Sequence, residues 1–260
     1  MALVLYHNDM SVCAQKVRFA LAEKGLAFES RHFNLRAGDQ KDPAYLELNP
    51  NGYVPTLVHD GFVVYESTVV CEYLDDAFPA PALKPADAQG RARMRSFTKF
   101  IDAAIFPATG TVSMSIAFHH QYAPEIYDKM EMARPGWLQN FRNLQKGVDN
   151  PAFPNAIRRL DKMLADMETA LETHRGPWLV GDIFTLADIG NAPYVTRLDH
   201  LKFLAPMVAR RPRVAAWYEL IVARPGYQEG LAKWFNAKYL PLMAEKGEEA
   251  WPRVGALLAA

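Results

Sequence analysis

Thr56-Leu57-Val58-His59-Asp60-Gly61-Phe62-Val63-Val64-Tyr65-Glu66-Ser67 decides how the first part of this chain folds. Two short β-compatible runs, 56–59 and 62–65, flank Asp60-Gly61, a pair suited to the positive φ that a type I′ turn needs. The spacing predicts a hairpin. Val54-Pro55 leads into it, and Glu66-Ser67 leads out into a helix over 67–77 with apolar pairs at Val69/Val70 and Tyr73/Leu74. Upstream, the turn cluster Asn49-Pro50-Asn51-Gly52 ends a short helix over 43–48. Residues 3–7 and 27–33 read as strands, and 11–24 as a helix with Val17, Ala20 and Leu21 on one face and Gly25 as its stop. The order is β-α-β-α-β-β-α. A helix between two strands favours a parallel pair, and the hairpin adds an antiparallel edge, so this is a small α/β domain.

Pro79 to Pro85 is a proline-dense connector and the natural boundary, giving domains at 1–79 and 86–260. Beyond it the strand signals stop. Met94, Phe97, Ile101 and Ile105 recur at helical spacing, as do Ile157, Leu160, Leu164, Met167 and Leu171. Thr185-Leu186-Ala187-Asp188 opens another helix as a capping box. Trp217, Leu220 and Ile221 mark a later one, stopped by Arg224-Pro225-Gly226. The second domain reads all-α. Between 107 and 154 periodicity weakens while Pro, Gly, His and aromatics accumulate, as in a mobile lid or an irregular helical excursion.

Composition narrows the function classes. The chain has 260 residues, half of them hydrophobic, with 29 basic and 29 acidic side chains. That suits one or two domains, is too apolar for disorder, and leaves no charge footprint for nucleic acid or an anionic membrane. Two cysteines, Cys13 and Cys71, cannot build a disulfide framework. The N-terminus has no signal-peptide pattern, and no run approaches the ~18 apolar residues of a membrane span. The expectation is a soluble, reduced, cytoplasmic protein.

Ser11 stands where the first helix begins. As an N-cap it contributes about 1 kcal/mol. The same geometry, a hydroxyl beside amides at a helix N-terminus, also favours an anion, and a thiol placed there would lose its proton more readily. No base neighbours Ser11 in sequence, and no Gly-x-Ser-x-Gly elbow surrounds it, which argues against a serine hydrolase. Cys13 is the rival nucleophile, one position short of a Cys-x-x-Cys register. Pro55 at a strand entrance allows a cis peptide that leaves the Val54 main chain free to pair with an extended peptide. Glu66 and Ser67, at the next helix start, suit the ammonium and carboxylate of an amino-acid α-group. His119 and His120 diverge by about 100° on a helix and cannot form an i,i+4 metal pair. No zinc, P-loop or dinucleotide fingerprint occurs.

Together these residues resemble a glutathione transferase. Ser-Val-Cys-Ala-Gln-Lys-Val-Arg at 11–18, Asn-Pro at 49–50, Val-Pro at 54–55 and Glu-Ser at 66–67 match that family in order and spacing. So do Leu-Ala-Asp-Ile at 186–189 and the Pro-Arg-Val-Ala-Ala-Trp-Tyr…Ala-Arg-Pro run at 212–225. The resemblance implies a thioredoxin-like first domain with a mixed four-stranded sheet, holding glutathione as co-substrate, and an all-α second domain against which a hydrophobic electrophile sits. It implies Ser11 as the thiolate-stabilising hydroxyl and Val54, before cis Pro55, as partner of the cysteinyl main chain. Glu66 and Ser67 would hold the γ-glutamyl end, Lys41 would lie near the glycine carboxylate, and the chain would form a homodimer.

Within the family, the stretch at 59–79 and Lys-Pro-Ala-Asp at 84–87 look like the bacterial β-etherases of lignin degradation, which displace a phenol from a β-aryl ether. Phe106, Met114, Phe118, Tyr122 and Trp137 could then shape a pocket for a bulky aromatic, with Tyr122 or His119 as donor to the departing phenolate. The middle segment and the tail after Lys233 exceed the usual transferase length. Ser11 stands where cysteine-type branches carry Cys, and the catalytic tyrosine of the better-known animal classes is missing. The serine in place of that cysteine argues for transfer over deglutathionylation. The rivals are a non-catalytic glutathione-binding module and a glutathione-dependent oxidoreductase using Cys13.

Overall fold

The structure, a computed structural model, describes residues 2–119, 122, 124–133 and 135–259. Strand β1 (Leu3–His7) leads to helix α1 (Val12–Glu23) and strand β2 (Glu29–His32), and α2 (Pro43–Leu48) precedes β3 (Thr56–His59), β4 (Phe62–Tyr65) and α3 (Ser67–Ala77). The sheet order is β2-β1-β3-β4, with β1 and β2 parallel and the other pairs antiparallel. Asp60 and Gly61 take φ 46° and 89°, the positive values anticipated for the hairpin turn. The second strand is shorter than its apolar flanks suggested, and all four of its side chains are exposed. It is an edge strand, paired on one side only, so burial does not select its residues.

Helix α1 is the pivot of the molecule. Val17, Ala20 and Leu21 are fully buried, and α1 packs against α3, against the helix Leu186–His200 and against the short helix Pro225–Gly230. Everything described after Pro79 is helical apart from loops and one isolated bridge between Trp178 and Gly181. The capping box forms as read: Thr185 Oγ1 accepts from the Ala187 amide at 3.2 Å and Asp188 accepts from the Thr185 amide at 2.9 Å. Leu220, expected on a core face beside Trp217 and Ile221, is 44% exposed, because the buried stripe of the helix Pro212–Ala223 runs through Val214, Trp217 and Ile221.

The irregular middle resolves into helices. Ile101–Ile105 and Met114–Phe118 are π-helical turns on either side of the helix Phe106–Ser113. Each π turn inserts an extra residue and shifts the register, which is why a 3.6-residue period fades across this stretch. Contrary to the sequence expectation, the helical run Ala88–Phe118 is, by length and composition, apolar enough to cross a membrane. Half of its most apolar window is buried inside the protein, as in the core helix of a globular fold. Trp137 stacks on Phe141 at 4.8 Å in a separate small cluster with Met130. The long tail forms the helix Tyr239–Ala259, seated so closely that a Cβ on Gly247 would lie 1.9 Å from the Leu201 carbonyl oxygen.

Buried His7 and half-buried His200 tie the fold to pH. Burial, reinforced by the neighbouring Arg18 charge, pushes His7 down to about 3, and burial with Arg197 nearby does the same to His200. An unfolded histidine titrates near ~6.5, so between that value and about 3 the unfolded chain binds more protons. Stability is therefore full above pH ~6.5 and falls as pH drops, each histidine adding a slope approaching ~1.4 kcal/mol per pH unit. Urea unfolding midpoints should decline between pH 7 and 5, and an unchanged midpoint would contradict neutral burial of both rings.

Candidate active site

Ser11 takes extended φ and ψ of −68° and 117°, and its Oγ accepts from the Ala14 amide at 3.3 Å, so the hydroxyl caps α1. The turn that delivers it is clamped by Arg18. That buried guanidinium donates to the carbonyls of Asn8 and Asp9 at 2.8 Å each and of Gly230 at 2.9 Å, and meets His7 Nδ1 at 2.9 Å. With His7 neutral, Nδ1 is free to accept from Arg18.

Val54, Pro55, Glu66 and Ser67, four residues singled out in sequence, line one small hollow of about 100 Å³ together with Cys13, Asn49, Tyr53, Asp102 and Phe106. The Val54–Pro55 peptide is cis, and among the described residues nothing hydrogen-bonds to the Val54 main chain. Glu66 adopts φ 67° and ψ 107°, outside the left-handed well, a conformation that costs a non-glycine residue about 1–3 kcal/mol. Neither its carboxylate nor the Ser67 hydroxyl has a partner among the described residues. Lys41 does not line the hollow; it sits behind Tyr53, with Nζ 5.0 Å from that ring centre and donating to the Asn51 carbonyl at 3.3 Å.

Ser11 itself faces a second hollow, about 170 Å³, walled by Met114, Phe118, Tyr122, Arg36, Arg197 and the helix Phe106–Ser113. Phe106 lines both hollows, which sets the Ser11 hydroxyl beside the cradle rather than within it. Phe106, Met114, Phe118 and Tyr122 thus contribute as anticipated, whereas Trp137 does not reach this space. His119 is also absent from the lining; its Nδ1 lies 3.1 Å from the Met114 carbonyl. His120 lies outside the described residues. Burial pushes the Tyr122 phenol up, so it stays a protonated donor. A larger open hollow of about 640 Å³, around Leu171, Arg175 and Arg213, shares no residue with either and lacks this convergence of polar groups on an aromatic wall.

Three residues escaped the sequence reading. Asp102 reaches the cradle from the π turn, held by Lys16 Nζ at 3.2 Å and Thr68 Oγ1 at 3.0 Å. Arg36 and Arg197 arrive from the turn after β2 and from the helix Leu186–His200. No local pattern marks them, because each meets the site only through chain packing.

The sequence profile of the glutathione S-transferase N-terminal domain matches residues 10–77, and that of the C-terminal domain matches 131–220. The chain belongs to the glutathione S-transferase family. It is 31% identical over 244 residues to Protein LigF of Sphingobium sp. (strain NBRC 103272 / SYK-6), covering 90% of this chain and 94% of that one. It is 29% identical to maleylacetoacetate isomerase of Rattus norvegicus, over 76% of this chain and 79% of the other. Among solved structures, the crystal structure of β-etherase LigF from Sphingobium sp. strain SYK-6 superposes with a TM-score of 0.77 at 30% identity, covering 90% of this chain and all of the other. This is therefore a glutathione-dependent transferase, with glutathione as co-substrate and a thioredoxin-like first domain.

Proposed function

We propose that this transferase sets the glutathione sulfur beside Ser11 and directs it at a bulky aromatic electrophile, cleaving a β-aryl ether. The observation that carries this is the placement of the Ser11 hydroxyl at the α1 N-terminus, facing an aromatic hollow that shares the Phe106 wall with the cradle. A free thiol has a pKa near ~8.5, so only a few per cent is thiolate at neutral pH. A hydrogen bond from Ser11 and the helix terminus stabilise the anion, and each unit of lowering corresponds to ~1.4 kcal/mol. The unpaired Val54 main chain suits the cysteinyl peptide of glutathione. Glu66, with Asp102 across the cradle, suits the γ-glutamyl ammonium, and Ser67 suits its carboxylate; Lys41, behind Tyr53, would reach the glycine carboxylate only from outside the hollow. The likeness to LigF supports the ether as electrophile.

Division at 79 and 86 into a glutathione-binding domain and a helical electrophile side agrees with this assignment. The two free cysteines fit a reducing cytoplasm. Exposed Phe62, Tyr65 and Val69, on β4 and the start of α3, support a homodimer. The competing thiol oxidoreductase draws support from Cys13, which lines the cradle with Sγ 3.9 Å from the Tyr194 hydroxyl.

Turnover of a panel of β-aryl ethers and simple aryl halides, with and without glutathione, tests the function. Glutathione-dependent phenol release is expected, from a species sedimenting as a dimer, and Glu66→Gln should raise the KM for glutathione about tenfold. Aryl halide turnover without any ether cleavage would refute the β-etherase assignment.

A further inference from the structure

The hollow in front of Ser11 carries positive charge that the chain does not neutralise. Arg197 is 7% exposed, and its fork donates only to neutral acceptors, Ser113 Oγ at 3.0 Å and the Met10 carbonyl at 2.6 Å. The Arg36 guanidinium lies 4.4 Å from the Tyr239 ring centre and 5.0 Å from that of Phe118, and its buried Nε has no hydrogen-bond partner. Thr109 Oγ1, on the same wall, is also buried without a partner. Among the described residues no carboxylate pairs with either arginine, and no Asp or Glu lies outside them. Burial, and then the Arg36 charge, lower Arg197 to about 10, as expected of a cation with no counter-ion.

We infer that the electrophile supplies the missing anion, presenting an oxyanion on a single aromatic ring to Arg36 and Arg197. The inference rests on the transferase assignment above and names its substrate class. The volume agrees, since a cavity of about 150 Å³ holds one benzene ring. The oxyanion has two sources. It is a carboxylate carried by the substrate, or it is the departing phenolate. In the second case the glutathione sulfur bonds to the ether carbon and the carbon–oxygen bond breaks. Its electron pair stays on the aryl oxygen, which the guanidinium pair holds until solvent protonates it. The guanidinium fork matches the two oxygens of a carboxylate, while the single oxygen of a phenolate can accept from both arginines.

Calorimetric titration of the full chain with S-benzylglutathione and S-(4-carboxybenzyl)glutathione compares one scaffold with and without the charge. A carboxylate site should bind the charged conjugate about tenfold tighter or more, with the ratio falling toward one in Arg36→Gln and Arg197→Gln. Arg36 sits on a partly exposed turn, so its variant keeps the test valid should loss of Arg197 impair folding. A phenolate site should show no such preference; instead kcat for ethers with phenols of graded acidity should depend more steeply on that acidity in Arg36→Gln. Equal affinity for the conjugates together with an unaltered acidity dependence overturns the inference. If neither conjugate binds, the glutathione assignment is what fails. Benzoate alone then decides the pocket: protection of the wild type against thermal unfolding but not of Arg36→Gln sustains it, and no protection overturns it.

Discussion

Ser11→Ala should lower glutathione-dependent turnover by about 10²–10³-fold while leaving the KM for glutathione within a few-fold. That magnitude is typical of removing one preorganised donor from a developing or resident anion. The split follows from the geometry, because the groups suited to hold the tripeptide line a hollow that Ser11 does not itself enter. Two readouts separate this from a structural loss. Ultraviolet absorbance of bound glutathione against pH should show the thiolate appearing at higher pH in the variant. The cap itself should cost only about 1 kcal/mol of stability, too little to unfold the chain. Cys13→Ala, made alongside, should change turnover by less than about threefold. If Cys13→Ala is instead the crippling change, thiol–disulfide chemistry replaces the transferase mechanism.

Asp188→Ala should be among the most destabilising single substitutions in the chain. The carboxylate is fully buried and accepts from the amides of Leu179 at 3.0 Å and Thr185 at 2.9 Å, from Thr185 Oγ1 at 3.2 Å, and from Trp217 Nε1 at 2.9 Å. Removal leaves these donors buried and unpaired, and it ends the capping box of the helix that also carries Tyr194 and Arg197. Losses of ~1–3 kcal/mol for each orphaned group, only partly additive, set the expectation at about 4 kcal/mol or more. The thermal midpoint should fall by roughly 8–16 °C for a chain of this size, and much of the variant should be insoluble on expression. Asp188→Asn, which keeps one acceptor oxygen, should lose distinctly less. A shift of only a degree or two for the alanine variant would show that water takes over the four donors.

The fold was legible because its signals are local. Asp60-Gly61 specifies its turn through backbone preference at two adjacent residues, and Thr185 and Asp188 specify a helix start within one turn. The order of strands and helices through Ala77 follows from such short-range choices. The weak period between 107 and 154 had a physical cause too: the π turn at Met114–Phe118 shifts the helical register, and the helices that follow it in this stretch, Tyr127–Ala133 and Trp137–Leu144, are too brief to repeat a pattern. The site was half legible. Val54, Pro55, Glu66 and Ser67 sit at element termini, where main-chain groups go unpaired and sequence marks the position. Trp137 and His119 carried the right chemistry in the right segment but pack elsewhere, since an aromatic residue's destination depends on which way its helix turns.

By itself the sequence determined the β-α-β-α-β-β-α order, the hairpin, the helical second half and the serine at the head of the first helix, all of them consequences of contacts spanning a few residues. Only the tertiary structure decided that Asp102 closes the cradle and that Arg36 and Arg197 charge the hollow beside it. Asp102 meets Lys16 across 86 residues of chain, and Arg197 meets Met10 across 187. Packing of helices against one another, rather than any preference of the residues themselves, brings such distant groups within reach, and the charge of the hollow facing Ser11 is set there.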